Sequence, residues 1–190
     1  MTIAAPADRA ATEPTSRRAL LGAGVVGAAL AVAGSRAVSA AAPQPNDDPA
    51  IADLAIGYEL AARDLYDAAI AAGSSDDLWH VLREQHESYG QRVSGLVGQP
   101  AQTPSVVLFD ALSGAFSSAE PFAAAMELEN TLAATHTEWL ATVTNPSMAI
   151  AMASIAALEA RHAAVLGILS GVTDGEALFV NAAAAFAGEA

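Results

Sequence analysis

The chain contains no cysteine and no lysine, and only 5% of its 190 residues are aromatic. Without cysteine there is no disulfide, no thiolate metal site, no cysteine nucleophile and no lipid-modified cysteine. Arginine alone supplies the positive charge, so eight cations stand against 21 carboxylates, a formal net charge of −13. That balance argues against a nucleic-acid partner, whose backbone needs a basic face. It also leaves no polybasic patch for anionic lipid. Charged residues make up 15% of the chain and hydrophobic ones 53%, with 49 alanines. So apolar and patterned a sequence argues against intrinsic disorder, and its length suits one ordinary domain, or a small domain with a tail. There is no Gly-rich phosphate loop and no strand–Ser–helix elbow of the hydrolase type.

The first forty residues read as an address. Residues 1–16 are rich in Ala, Pro, Thr and Ser and carry no apolar period. Arg17-Arg18 follow, then an apolar stretch from Ala19 to Gly34, then Val38-Ser39-Ala40, small residues where signal peptidase requires them. The twin arginine, with Leu20 two places after Arg18, makes the segment look like a Tat signal peptide. The apolar run is shorter than the ~20 residues a membrane span needs. The expectation is therefore a signal peptide over 1–40 and export to the periplasm, cell envelope or medium, with no membrane span once the signal is removed. Cleavage after Ala40 would leave four arginines against 19 carboxylates.

The rest of the chain is patterned for helices only. Pro43, Pro45 and Pro49 make 41–49 an extended linker, and no further proline occurs until Pro100. Two helices fit that space, about 49–72 and 76–97, broken at Gly73-Ser74-Ser75 with Ser75 as N-cap. The second carries a stripe of Leu78, Val81, Leu82, Tyr89, Val93 and Leu96. A long connection follows, with a short helix at 106–116 inside it. A third main helix is expected from about Ser118 to Thr144, and a fourth from Asn145-Pro146 to about Ser170, where Gly171 stops it. Val165 and Leu169 fall on the fourth helix's stripe, and a short apolar helix at about 174–187 ends the chain. Two helical hairpins joined by a long crossover describe an all-α four-helix bundle over 50–171, with 172–190 as C-terminal short helix and tail.

Carboxylates do not belong in a bundle core unless they are paired or bind something. At 100° per residue, Glu129 and His136 fall on the third stripe, and Glu159 and His162 on the fourth. Glu59 and His86 sit at stripe edges, while Asp64, Asp67, Glu84, Glu87 and His80 point outward. Carboxylate and imidazole donors without thiolate suit iron, manganese or zinc. Glu159-Ala160-Arg161-His162 is a Glu-x-x-His pair on one helix face, aimed at one metal. His136 offers a further nitrogen, but seven residues, about two turns, separate it from Glu129. The tyrosines and tryptophans read as packing.

Tyr58-Glu59-Leu60, Leu82 to His86, Leu128-Glu129-Asn130-Thr131 and, above all, Leu158-Glu159-Ala160-Arg161-His162-Ala163-Ala164 resemble the small exported ferritin-like domain proteins of bacteria. The likeness covers roughly residues 50–171. It implies a ferritin-like bundle with the crossover between helices two and three, and a carboxylate-bridged di-iron or manganese centre. Its metal ligands would be Glu59, His86, Glu129, Glu159 and His162. Metal ions would be the partners, a homo-oligomer is compatible, and the role would be redox or metal handling in the cell envelope. The family pattern also wants a second Glu-x-x-His on helix two. Here Arg83 stands in the Glu slot if His86 is the ligand, and Glu87 in the His slot if Glu84 is. A cation in that slot would repel metal. The other reading is a metal-free degenerate bundle serving as a structural or partner-binding domain. No residue pattern fixes a catalytic activity.

Overall fold

A computed structural model describes residues 48–100, 103–118 and 120–187. The expected signal peptide and cleavage position lie outside these residues. Six helices are formed and, among the described residues, no strand: α1 (Asp48–Ala71), α2 (Asp77–Val97), α3 (Val106–Phe116), α4 (Phe122–Trp139), α5 (Pro146–Leu169) and α6 (Gly175–Phe179). α1 packs along α2 and α4 along α5, giving two hairpins. The long connection between them carries α3, which lies on α1 and α4.

Local chemistry sets the boundaries. α2 is capped by Asp76, whose side chain accepts from the Leu78 amide at 2.9 Å, rather than by Ser75. Asn145 caps α5 as expected, with Pro146 at the first helical position. Gly171, at φ +90°, turns the chain out of α5 in a conformation that side-chain-bearing residues avoid. The helix expected to reach Thr144 stops at Trp139. Its continuation is claimed by Asp48, whose carboxylate accepts from the Thr144 amide (2.8 Å), the Thr144 hydroxyl (2.9 Å) and the Asn145 amide (2.7 Å). This clasp pins the start of α1 to the α4–α5 loop. Asp48→Ala is expected to lower Tm by roughly 3–8 °C, read by thermal denaturation; an unchanged Tm would show that the clasp contributes nothing.

The last expected helix is shorter than its alanine content suggests. α6 ends at Phe179, and the chain continues as a non-helical strap to residue 187. Asn181 diverts it, accepting from the Ala183 amide and donating to the Asn130 carbonyl, while the Phe186 amide donates to the Thr135 hydroxyl.

Two apolar clusters fill the bundle. One joins Leu65, Tyr66, Trp79, Leu82, Leu128, Leu132 and Leu166; the other joins Ile56, Tyr89, Val93, Met148, Met152 and Ile155. Along α1, α2 and α5 the candidate site residues fall between the two clusters, and on α4 His136 follows the last buried residue of the first, Leu132, while Glu129 sits within its stretch. α2 is rotated relative to the expected stripe: Trp79 is buried while Val81 and Leu96 are exposed. Trp79 takes the inward position because its ring stacks on Phe122 and lies beside Tyr66. That rotation carries His86 from the stripe edge to its centre. α5 is apolar nearly all round, so hydrophobicity alone misplaces its face, and Val165 and Leu169 point outward. By length and composition α5 could cross a membrane; its inner side, Met148 to Leu166, is packed as a core helix. Gly167 lets α5 approach its neighbours closely: a Cβ there would lie 2.7 Å from the end of the Leu178 side chain and 3.0 Å from the Met126 sulfur, which would have to shift.

Candidate metal centre

Four helices each send ionisable side chains into the layer between the two apolar clusters. α1 gives Glu59, α2 His86, α4 Glu129 and His136, and α5 Glu159 and His162. All but His162 are fully buried; the His162 side chain keeps 13% exposure. The groups form two trios, His86–Glu129–His162 and Glu59–His136–Glu159, and within each trio one ligand atom per residue lies within 4.8 Å of the others.

His86 links the trios. Its Nδ1 lies 2.7 Å from Glu59 Oε2 and its Nε2 3.1 Å from Glu129 Oε1. Glu129 Oε2 faces His162 Nδ1 at 3.2 Å, and the Tyr66 hydroxyl donates to Glu129 Oε1 at 2.6 Å. In the second trio His136 Nδ1 lies 3.0 Å from Glu159 Oε2. Its Nε2 is 3.3 Å from Glu59 Oε1 without the alignment of a hydrogen bond. Three buried atoms of this trio, Glu59 Oε1, His136 Nε2 and Glu159 Oε1, have no hydrogen-bond partner. Such orphans are costly in an interior that has excluded water.

The layer holds protons tightly. Burial alone would lower the His86 pKa, but the Glu129 charge and the bonds to Glu129 and Glu59 hold it well above 6.5. Burial also opposes protonation of His136, and Glu159, helped by Glu59, lifts it to about 9. Glu129 is brought down to about 2 against its burial, by the His86 charge and the bonds from His162 and His86. Glu159 goes the other way. Burial raises it to about 7, with His136 opposing and the charges of Glu59 and Glu129 adding. Tyr66 is pushed well above 10 by burial and the adjacent Glu129 carboxylate, so it remains a hydrogen-bond donor.

The structure brings together all five expected ligands, and it corrects three expectations. Arg83 occupies no ligand position: it pairs with Asp67 and Glu87 on the outside of α1 and α2. Glu159 and His162 do not share one cluster but divide between the two trios. His136, left out of the ligand set because of its distance from Glu129, is a full member of the second trio. The two-turn separation was right about one centre and silent about a neighbouring one. Tyr66, read as packing, is also bonded to a candidate ligand. Both had a signal: Glu59 to Tyr66 and Glu129 to His136 are i, i+7 pairs, two turns apart on one face.

No protein-family model, curated protein or solved structure gives a significant match to this chain.

Proposed function

We propose that this chain is an exported, ferritin-like metal-binding protein that takes iron or manganese in the layer between its two apolar clusters. Glu59, His136 and Glu159 would hold one ion, and His86, Glu129 and His162 a second. The supporting observation is that three fully buried donor atoms without a hydrogen-bond partner belong to one trio, whose residues each offer a ligand atom within 4.8 Å of the others. A cation held by this trio would supply the partner that such atoms lack. The donor chemistry agrees: three carboxylates and three imidazoles match the preferences of Fe²⁺, Mn²⁺ or Zn²⁺. With Arg83 turned outward, its guanidinium does not contest the site. Bound iron or manganese, unlike zinc, would supply one-electron redox chemistry. The chain's own part is to hold the ligands rigid on four helices, exclude bulk water, and release protons from His86, His136 and Glu159 as cations enter. The twin-arginine leader supports export, and the two hairpins with their long crossover support the ferritin-like connectivity.

A metal-free bundle is the second reading. The observation in its favour is that His86 already has a carboxylate on each ring nitrogen.

Metal analysis of protein recovered through its native export route separates the two. The metal reading expects close to one or two equivalents of Fe, Mn or Zn, and a Tm that rises on adding metal, because an ion that binds only the folded state stabilises it. Glu159→Gln combined with His162→Gln should remove both. Less than about a tenth of an equivalent, with no metal-dependent stabilisation, would leave the metal-free reading.

A further inference from the structure

Among the described residues, the buried layer is covered on every side but one. Toward one end of the bundle lie Tyr66 and Trp79, at most 1% exposed, with Phe122 stacked on Trp79 at 4.9 Å. Toward the other lie Met148, Met152 and Ile155, equally buried. The α1–α4 side is covered twice. α3 seats Leu108 and Phe116 there without exposure, and the C-terminal strap sets Phe186 edge-on to Tyr58 at 5.4 Å.

Among the described residues, the α2–α5 side has no such cover. Among the described helices α2 touches only α1 and α5, and the contact with α5 is the sparser. Half-buried Leu158 and Tyr89, 8% exposed, close the seam. The Tyr89 hydroxyl bonds weakly, at 3.4 Å, to Gln85 of its own helix. His162 lies at this seam, its ring 6.4 Å from that of His86, and it is the one site residue with any exposure.

We infer that divalent cations reach the layer through the seam between α2 and α5, meeting His162 first, so that the His86–Glu129–His162 trio loads before the Glu59–His136–Glu159 trio. This inference rests on the metal-binding reading above. His86 is the connection between the steps, since its two nitrogens face Glu129 of the outer trio and Glu59 of the inner one. Exposed Arg161 stands beside His162 in sequence and acts electrostatically on Tyr89. A guanidinium at the mouth repels an incoming cation in a protein that is otherwise strongly acidic, and salt screens that repulsion.

Stopped-flow loading of the full chain with Co²⁺, followed by its visible absorption, tests the route. Wild type should load in two phases, and His162→Gln should lose the faster. Arg161→Glu, a surface change that leaves folding alone, should speed loading about three- to tenfold at low ionic strength, with the gain vanishing in high salt. Leu158→Ala should raise association and dissociation rates together at unchanged affinity, while Phe186→Ala on the covered side leaves both unchanged. Acceleration by Phe186→Ala alone, or loss of only the slower phase in His162→Gln, would overturn the route. So would Co²⁺ binding at wild-type rates in every variant, with metal binding itself intact. Failure of the wild-type chain to bind Co²⁺ at equilibrium would remove the metal reading and the route together.

Discussion

Glu129→Ala is expected to destabilise the metal-free protein more than any other single substitution in the bundle, by about 3–5 kcal/mol. Three groups converge on its carboxylate: the Tyr66 hydroxyl, His86 Nε2 and His162 Nδ1. Truncation would leave a buried imidazolium and a buried hydroxyl without their acceptor, and desolvation of the stranded groups dominates the loss rather than the bonds themselves. Against a total of roughly 5–15 kcal/mol for a domain of this kind, that is a large fraction. Tm should fall by about 10 °C or more. Glu129→Gln should cost less, because it keeps an oxygen for Tyr66. Chemical denaturation in the presence of a chelator measures both. If Glu129→Ala were as stable as the parent, the described network would not hold the metal-free core together.

The second large effect is the response to pH, and its sign follows residue by residue. His136 is raised to about 9 and His86 is held well above 6.5. Their stabilisation is fully present below the unfolded value near 6.5 and is lost as pH rises through the folded values. Glu129, lowered to about 2, contributes above its unfolded value near 4.5 and loses that contribution as pH falls toward 2. Glu159, raised to about 7, favours the folded state progressively less as pH rises from about 4.5 to 7. The metal-free protein should therefore be most stable in acid, where the Glu129 gain ends and the Glu159 loss begins, near the ordinary carboxylate value of 4.5, and lose several kcal/mol between there and pH 9–10, of which the His136 shift alone accounts for about 3 kcal/mol. Metal affinity should move the opposite way, tightening over the same interval as the protons leave. Thermal melts across pH, with chelator and with saturating Mn²⁺, would show the two curves diverging above pH 7. Parallel curves would mean that protons and metal do not compete for these groups.

The helices were legible because proline, glycine and capping residues punctuate them: Asn145-Pro146 and Gly171 bracket α5 almost to the residue. What failed were the ends fixed by distant partners. Nothing near Thr144 in sequence announces that Asp48 will take its amide, and nothing near Phe186 announces Thr135. Five ligand candidates were legible because carboxylates and imidazoles on apolar stripes are anomalous. The rotation of α2 was not, because it depends on Trp79 finding Phe122 across the interior. Periodicity places a residue on a face. It does not say which neighbouring residue is one turn away in space, and that is why the division into two trios and the membership of His136 emerged only from the assembled helices.

Helical bundles ordinarily fray from their tips. Here both tips are dry and tightly filled, while the waist is a polar stratum with three donor atoms left wanting. If the layer holds an ion as proposed, withdrawing it would soften the molecule at its midsection, where hydration of that stratum can begin while the two greasy halves stay closed. On the metal-binding reading each ion would act as a rivet through three rods, and the two trios together would tie all four into one cooperative body.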